Sequence, residues 1–268
     1  MNDQTVTADA TITAEELAEF VAVARSFAKE VPGKLWLDLD IGSADAIDKS
    51  WAGLCEIGFD RCLVSEQAGG TGLPASALPA LAEEIATGDG GVAMLLLLSN
   101  IALSLLPAER LAELGETERF AFIPAVGARE PGVSLPELAG GKLTGEIAFA
   151  VGGFAVDGLV VACRAGDGFA LAAVECDAKG VTIERVEDQM ALGAARVAKI
   201  EFAGAKAAKI GGGAELDHAN AVLNSGIAAI ARGISRRARA MAQEYAENRY
   251  QGGGPIIIHG AVRDMLAR

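Results

Sequence analysis

Histidine is scarce in this chain: two among 268 residues, His218 and His259. Neither has a nucleophile or a metal-ligand companion near it in sequence, so no Ser/His/Asp, Cys/His or zinc-ligand constellation stands out. Cysteine is nearly as rare. Cys55, Cys62, Cys163 and Cys176 form no Cys-x-x-Cys pair, which argues against a metal or dithiol motif and predicts reduced, buried thiols in a cytosolic protein. Positive charge is short as well, 23 Lys and Arg against 36 Asp and Glu for a net charge of −13. That balance argues against a nucleic-acid surface, which needs a basic face. The densest basic cluster, Arg232, Arg236, Arg237 and Arg239, reads as the solvated or subunit-facing side of a helix rather than an anion site.

Long hydrophobic runs are missing too. The most apolar stretch, residues 92–106, is about fifteen residues where a membrane span needs about twenty, and Ser99, Asn100 and Ser104 interrupt it. It reads as a buried core helix. The opening MNDQTVTADATITAEE has neither a basic region nor an apolar segment, so no secretory signal is expected there. The G-x-G-x-x-G spacing of a dinucleotide fold is absent. Gly69, Gly70 and Gly72 read as a sharp turn between helices.

What is present is apolar material in a definite order. Just over half the residues are hydrophobic, 51%, ample for a packed core. Residues 13–30 form a predicted amphipathic helix, opened by the capping box Thr13-Ala14-Glu15-Glu16, with Leu17, Phe20, Val21, Ala24 and Phe27 inward and Pro32-Gly33 as its stop. Helices are also expected over 43–57, with Trp51 and Leu54 inward, over 74–87 and over 92–106. After Glu118 the pattern changes. Six short apolar runs, 120–126, 142–149, 159–163, 169–175, 181–186 and 198–202, separated by Gly, Pro and Asp, predict a small antiparallel barrel or sandwich. Gly211-Gly212-Gly213 then leads into a long helix. Its apolar positions Ile227, Ile230, Ile234, Ala238, Met241 and Tyr245 repeat at spacings of three and four. Gly252-Gly253-Gly254-Pro255 ends it. The expected organisation is α+β: a helical domain over 1–117, a β domain over 118–210 and a shortened helical bundle over 211–268.

Gly233, Ala238, Ala242, Tyr245, Ala246, Arg249, Gln251, Gly254, Pro255 and Ile256, followed by His259, Ala261, Val262, Leu266 and Ala267, resemble the acyl-CoA dehydrogenase family. There the matching run is a long helix of the C-terminal bundle, an R-x-Q-F-G-x-P turn and the start of the next helix. Trp51, Leu54, Glu56-x-Gly58, Gly69-Gly70-x-Gly72 and Glu83-Glu84-x-Ala86-x-x-Asp89 are similar to its N-terminal helical domain, although Ser65-Glu66-Gln67-Ala68 stands where the family reads P-E-E-Y.

The resemblance implies a flavin oxidoreductase of fatty acid metabolism. A carboxylate removes the α-proton of an acyl-CoA while FAD takes the β-hydride. It also implies where FAD contacts fall: Ile123, Phe149, Val151, Arg249 and Gln251. Several of these depart from the family. In its F-A-L-T-E-P-x-A-G-S-D segment Ile123 stands for the threonine, Pro124 for the glutamate and Arg129 for the serine. In its N-G-x-K-x-W-I-T-N-G segment Phe149 can stack on an isoalloxazine or serve as a core aromatic, and Val151 replaces the hydroxyl. In its R-x-x-x-K-M-G-L-R-G-S turn, met here from Val186 through Met190 and Leu192, Gly193 and Ala195 replace the arginine and serine. Arg249 matches the arginine that reaches the FAD diphosphate of an adjacent subunit, and capping of helix carbonyls would explain it equally.

No catalytic residue is found. Most members carry the base in later helices, and a minority on the long helix at a position that register assigns to Leu223. Glu215 and Asp217 fall outside that register, as first-turn carboxylates. Two functions follow. One is a dehydrogenase chain working in a hetero-oligomer, with FAD shared and the base supplied by a partner subunit. The other is a non-catalytic structural or binding subunit that kept the shell alone. A shortened gene product is a third reading. A protein partner, homo- or hetero-oligomeric, and an acyl-CoA substrate are expected, with neither nucleic acid nor membrane.

Overall fold

The computed structural model describes residues 12–115, 118–124, 135–187 and 189–267. Helix α1 (Ala14–Glu30) begins at the predicted capping box: the Thr13 side chain accepts from the Glu16 backbone N–H, and the Glu16 carboxylate accepts from the Thr13 N–H. A five-residue helix α2 (Trp36–Asp40) follows, then α3 (Ala44–Glu56), with Trp51 and Leu54 buried as expected. The glycine turn closes on itself, Gly70 N–H donating to the Ser65 carbonyl at 3.0 Å and Gly72 N–H to that of Val64 at 2.8 Å. Helices α4 (Leu78–Ala86), α5 (Gly90–Leu105) and α6 (Ala108–Glu113) complete the N-terminal part.

Helix α5 is the predicted core helix. Its polar interruption is accounted for, because fully buried Asn100 donates to the carbonyls of Phe59 and Leu96 at 2.8 and 3.0 Å and accepts from the Leu63 N–H at 3.1 Å. A buried amide with several good partners pins the loop after α3 to the helix instead of costing stability. Among the described residues no helix is long and apolar enough to cross a membrane.

Eight strands follow among the described residues: β1 (Phe120–Ile123), β2 (Glu137–Ala139), β3 (Lys142–Ala150), β4 (Gly158–Ala165), β5 (Gly168–Glu175), β6 (Val181–Arg185), β7 (Ala198–Lys206) and β8 (Ala208–Gly211). They form one sheet in the order β6-β7-β3-β2-β4-β5-β8, with β1 also paired to β4. The sheet is mixed where antiparallel pairing was expected, because β1 and β2 both run parallel to β4. Side chains alternate identically in either pairing, so apolar spacing carries no information on strand direction.

The centre of the sheet is covered on both sides. Phe120 and Phe122 of β1 and Val160 and Ala162 of β4 join the helical core, whereas Ala121, Ile123, Leu159, Val161 and Cys163 join a second core with Ile200 and Phe202 of β7.

The chain then enters α7 (Gly213–Asn248), 36 residues or about 54 Å at 1.5 Å per residue, and ends in α8 (Gly260–Ala267). Only the first two-thirds of α7 is packed. Leu216, Ala219, Val222, Leu223, Gly226, Ile230 and Gly233 are buried, beyond which Ala246 alone is. Of the stripe read as a packing face, Ile230 is buried, but Ile227, Ile234, Met241 and Tyr245 are 41, 40, 49 and 62% exposed. The register of the stripe is right. Within this chain, the described residues do not cover its far end.

Candidate functional site

Ile123 lies 2% exposed on β1, facing the inter-strand core. It offers an aliphatic side chain and no donor to anything outside that core. Pro124 directly follows the strand. Arg129, read as the counterpart of the family serine, lies outside the described residues, as does Asp188. Phe149, near the end of β3, is 74% exposed; a core aromatic is thereby excluded, and its ring is open to solvent. Val151 packs partly buried against the helical core. Gly193 and Ala195 form a buried 3-10 turn between β6 and β7.

Arg249 and Gln251 stand elsewhere, at the far end of α7. The Arg249 N–H caps the helix on the Tyr245 carbonyl at 2.9 Å, and a tight turn follows in which Gln251 N–H donates to Gly254 O at 2.9 Å and Ile256 N–H to Arg249 O at 2.8 Å. His259 Nε2 lies 3.2 Å from the Gln251 carbonyl. The capping role read for the Arg249 side chain is taken by its own backbone, and among the described residues no hydrogen bond or ion pair engages its guanidinium. No hydrogen bond, ion pair or ring contact among the described residues joins Arg249 or Gln251 to Ile123, Phe149 or Val151. Among the described residues, then, no direct contact brings the five candidates together. As a self-contained flavin cradle they do not fit: the strand positions supply no hydroxyl, and the one cation stands at the other end of a long helix.

A base is equally lacking at the expected position. Leu223 is 5% exposed within the helical core. Glu215 behaves as the first-turn carboxylate it was read to be, accepting from the Gly212 N–H at 2.8 Å, and that backbone bond holds its carboxyl below the ordinary value. His218 is exposed on the first turns of α7. Among the described residues no group of three His, Cys, Asp or Glu could hold a metal.

Two charged clusters escaped the sequence reading. In the first, Glu84 on α4, buried with a side chain 6% exposed, pairs with Arg25 of α1 at 3.1 Å and Arg236 of α7 at 2.7 Å, while Glu83 takes Arg232 at 3.1 Å and Arg236 at 2.9 Å. Two arginines of the basic stretch on α7 are thus spent clamping it to α4. Burial works to raise the Glu84 carboxyl, and the bonds from Arg25 and Arg236 overcome it, leaving its pKa lowered.

The second cluster lies where helices meet sheet. Asp48 Oδ1 on α3 accepts from Arg119 Nη1 and Arg196 Nη2, each at 2.9 Å. Arg119 also stacks over Trp51 at 5.3 Å. Burial raises the Asp48 carboxyl, but the two guanidiniums win and hold it low. Arg196, with a side chain 9% exposed, is lowered by burial, helped by the like charges of Arg119 and Arg185. These residues line a cleft of about 390 Å³ with Gly42, Phe154, Ala155, Asp157 and Arg185. Asp48 and Arg196 are 148 positions apart, so no local spacing could have announced the cluster.

Comparison with known proteins places these observations. Residues 14–117 match the family described as Acyl-CoA dehydrogenase, N-terminal domain. The fold is that of butyryl-CoA dehydrogenase from Megasphaera elsdenii, at 23% identity and TM-score 0.78 over 97% of this chain and 76% of that one. It is also shared with the Tcur3481-Tcur3483 steroid ACAD G363A variant, at 23% identity and TM-score 0.80 over 94% and 72%. Glutaryl-CoA dehydrogenase from Mycobacterium smegmatis matches at 22% identity and TM-score 0.78 over 96% and 72%. No curated protein matches by sequence.

Proposed function

Taking as premise that residues 14–117 match the acyl-CoA dehydrogenase N-terminal domain family and that the whole chain carries that fold, we propose that this protein is one subunit of a hetero-oligomeric, acyl-CoA dehydrogenase-type flavin oxidoreductase. A partner subunit supplies the proton acceptor and most of the hold on FAD. The observation that carries the reading is the far end of α7. There Ile234, Met241 and Tyr245 form an exposed apolar seam leading to an Arg249 whose guanidinium has no hydrogen bond or ion pair among the described residues. An apolar stripe beside an unspent cation is what a subunit interface around an anionic cofactor requires. The five FAD candidates then act across the interface, Arg249 and Gln251 toward a flavin held largely by the partner.

A subunit that keeps the shell without cofactor or catalysis is favoured by Ile123, Val151 and Leu223, none of which can donate, accept or move a proton. Anaerobic addition of acyl-CoA thioesters to the co-expressed complex distinguishes the two. Bleaching of a flavin band that depends on Arg249, lost in Arg249→Ala, supports shared catalysis. A band indifferent to that change assigns this chain a structural role. A complex without flavin overturns the oxidoreductase reading and leaves the shell subunit.

A further inference from the structure

The junction between helices and sheet carries more positive charge than its one bridging carboxylate answers. Arg119 and Arg196 share a single oxygen of Asp48 at 2.9 Å each. Five N–H donors belong to each guanidinium. Beyond Asp48, the Arg196 guanidinium reaches among the described residues only the Ala155 carbonyl, at a long 3.5 Å. Arg185, at the end of β6, reaches the same cleft beside Gly42: a Cβ on Gly42 would lie 2.8 Å from its Nη2. Its one ion pair among the described residues is a loose 3.7 Å contact to Glu187, which is itself 70% exposed. Of the remaining acidic residues, Asp157 has one oxygen engaged by the Arg119 N–H at 2.8 Å. The cleft therefore collects three guanidiniums against Asp48, Asp157 and a peripheral Glu187, in a molecule whose net charge is −13.

Two further features point to use rather than accident. Ala155 (φ 55°) and Arg196 (φ 49°), two of the three non-glycine residues at positive φ among those described, both line the cleft. Each such conformation is unfavourable for a residue with a side chain and persists only where the surroundings enforce it. Arg119, Ala155 and Arg196 also line a second, small cavity that reaches Ser99, which is 2% exposed and whose Oγ has no hydrogen-bond partner among the described residues; a buried hydroxyl left so is uncommon.

We propose that this cleft binds an oxyanion, the phosphoryl or carboxylate group of a small ligand, with Arg185 and Arg196 as its two cationic walls and Arg119 held beside them by Asp48. The site is lined by α3, Arg119 just before β1, the end of β6 and the turn before β7, with no residue of α7 among its lining, and it stands whether or not the subunit reading does. Guanidinium forks bind both anion types in bidentate fashion, so the probes are inorganic phosphate and acetate, with chloride at matched ionic strength as control.

Titration of the full chain, read by NMR shifts and by melting temperature, should show saturable binding of phosphate or acetate and a rise in melting temperature that chloride does not reproduce. The stronger of the two assigns the ligand class. Arg185 is half-exposed and outside both cores, so Arg185→Ala should fold normally and weaken binding by about tenfold, the loss of one charge-assisted contact. Glu187→Gln removes the competing carboxylate and should strengthen binding about twofold. Equal responses to all three salts, or an Arg185→Ala protein that binds as tightly as the parent, would overturn the site.

Discussion

Glu84 shows how single residues hold this fold. Its carboxylate is buried, but both partners keep their guanidiniums near water, at 65 and 41% exposure. Removing it therefore strands no buried cation, and Glu84→Ala should cost about 1–3 kcal/mol, less than the 3–5 of a fully buried pair. The pH dependence has a definite sign. A carboxyl lowered below its ordinary value of 4.5 contributes stability that is complete above that pH and is lost as pH falls below it. Glu84→Gln should flatten that acid limb in urea melts recorded from pH 7 down to about 3. The thiols are a second residue-scale case. Burial pushes Cys62 and Cys176 up to about 12 and Cys55 and Cys163 up to about 11. The thiolate is the reactive form, so iodoacetamide at pH 8 should label the native chain slowly at all four and the urea-unfolded chain completely, as counted by mass spectrometry.

Among the elements, α7 governs the architecture, and its packing is set by what is small. At Gly233 an added Cβ would come within 2.2 Å of the Glu83 backbone carbonyl on α4. Two effects oppose in Gly233→Ala: helix propensity favours alanine by about 1 kcal/mol, while forcing α4 and α7 apart costs about 1–3 kcal/mol or more, since the obstacle is backbone. The clash should win. Chemical denaturation should find the variant destabilised, and equal or greater stability would refute the close approach.

The elements were largely legible in the sequence because capping and periodicity are local signals. Thr13 and Glu16 marked the start of α1, the apolar run marked α5, and the three-and-four spacing marked α7. Direction in the sheet was not legible, since alternation is blind to it, and neither was β2, whose three residues are too short to show a period. The charged clusters were out of reach for another reason: Asp48 with Arg196, and Glu84 with Arg236, meet only after the whole chain has folded. For the candidate cofactor residues, motif positions identified Arg249 and Gln251 on the turn after α7, but motif spacing cannot tell whether two segments face one ligand in one chain or across two. The α7 stripe was legible in register, and its exposure follows from how little chain comes after it, because periodicity reports an apolar face and not what covers it.

At the scale of the whole molecule, a core shared between helices and sheet coexists with a helix end that projects its apolar side. Burying that seam is worth roughly 25 cal/mol per Å² of apolar surface, so association rather than further folding is the expected use of Ile234, Met241 and Tyr245. The shared flavin proposed above would lie at that seam, beside Arg249. The most direct test is the flavin content and subunit composition of the purified protein by native mass spectrometry, for the chain alone and co-expressed with its genomic neighbours. The expected result is a flavin-free chain alone and a flavin-bearing hetero-oligomer with a partner. A homo-oligomer or monomer of this chain that holds one FAD per copy would contradict it.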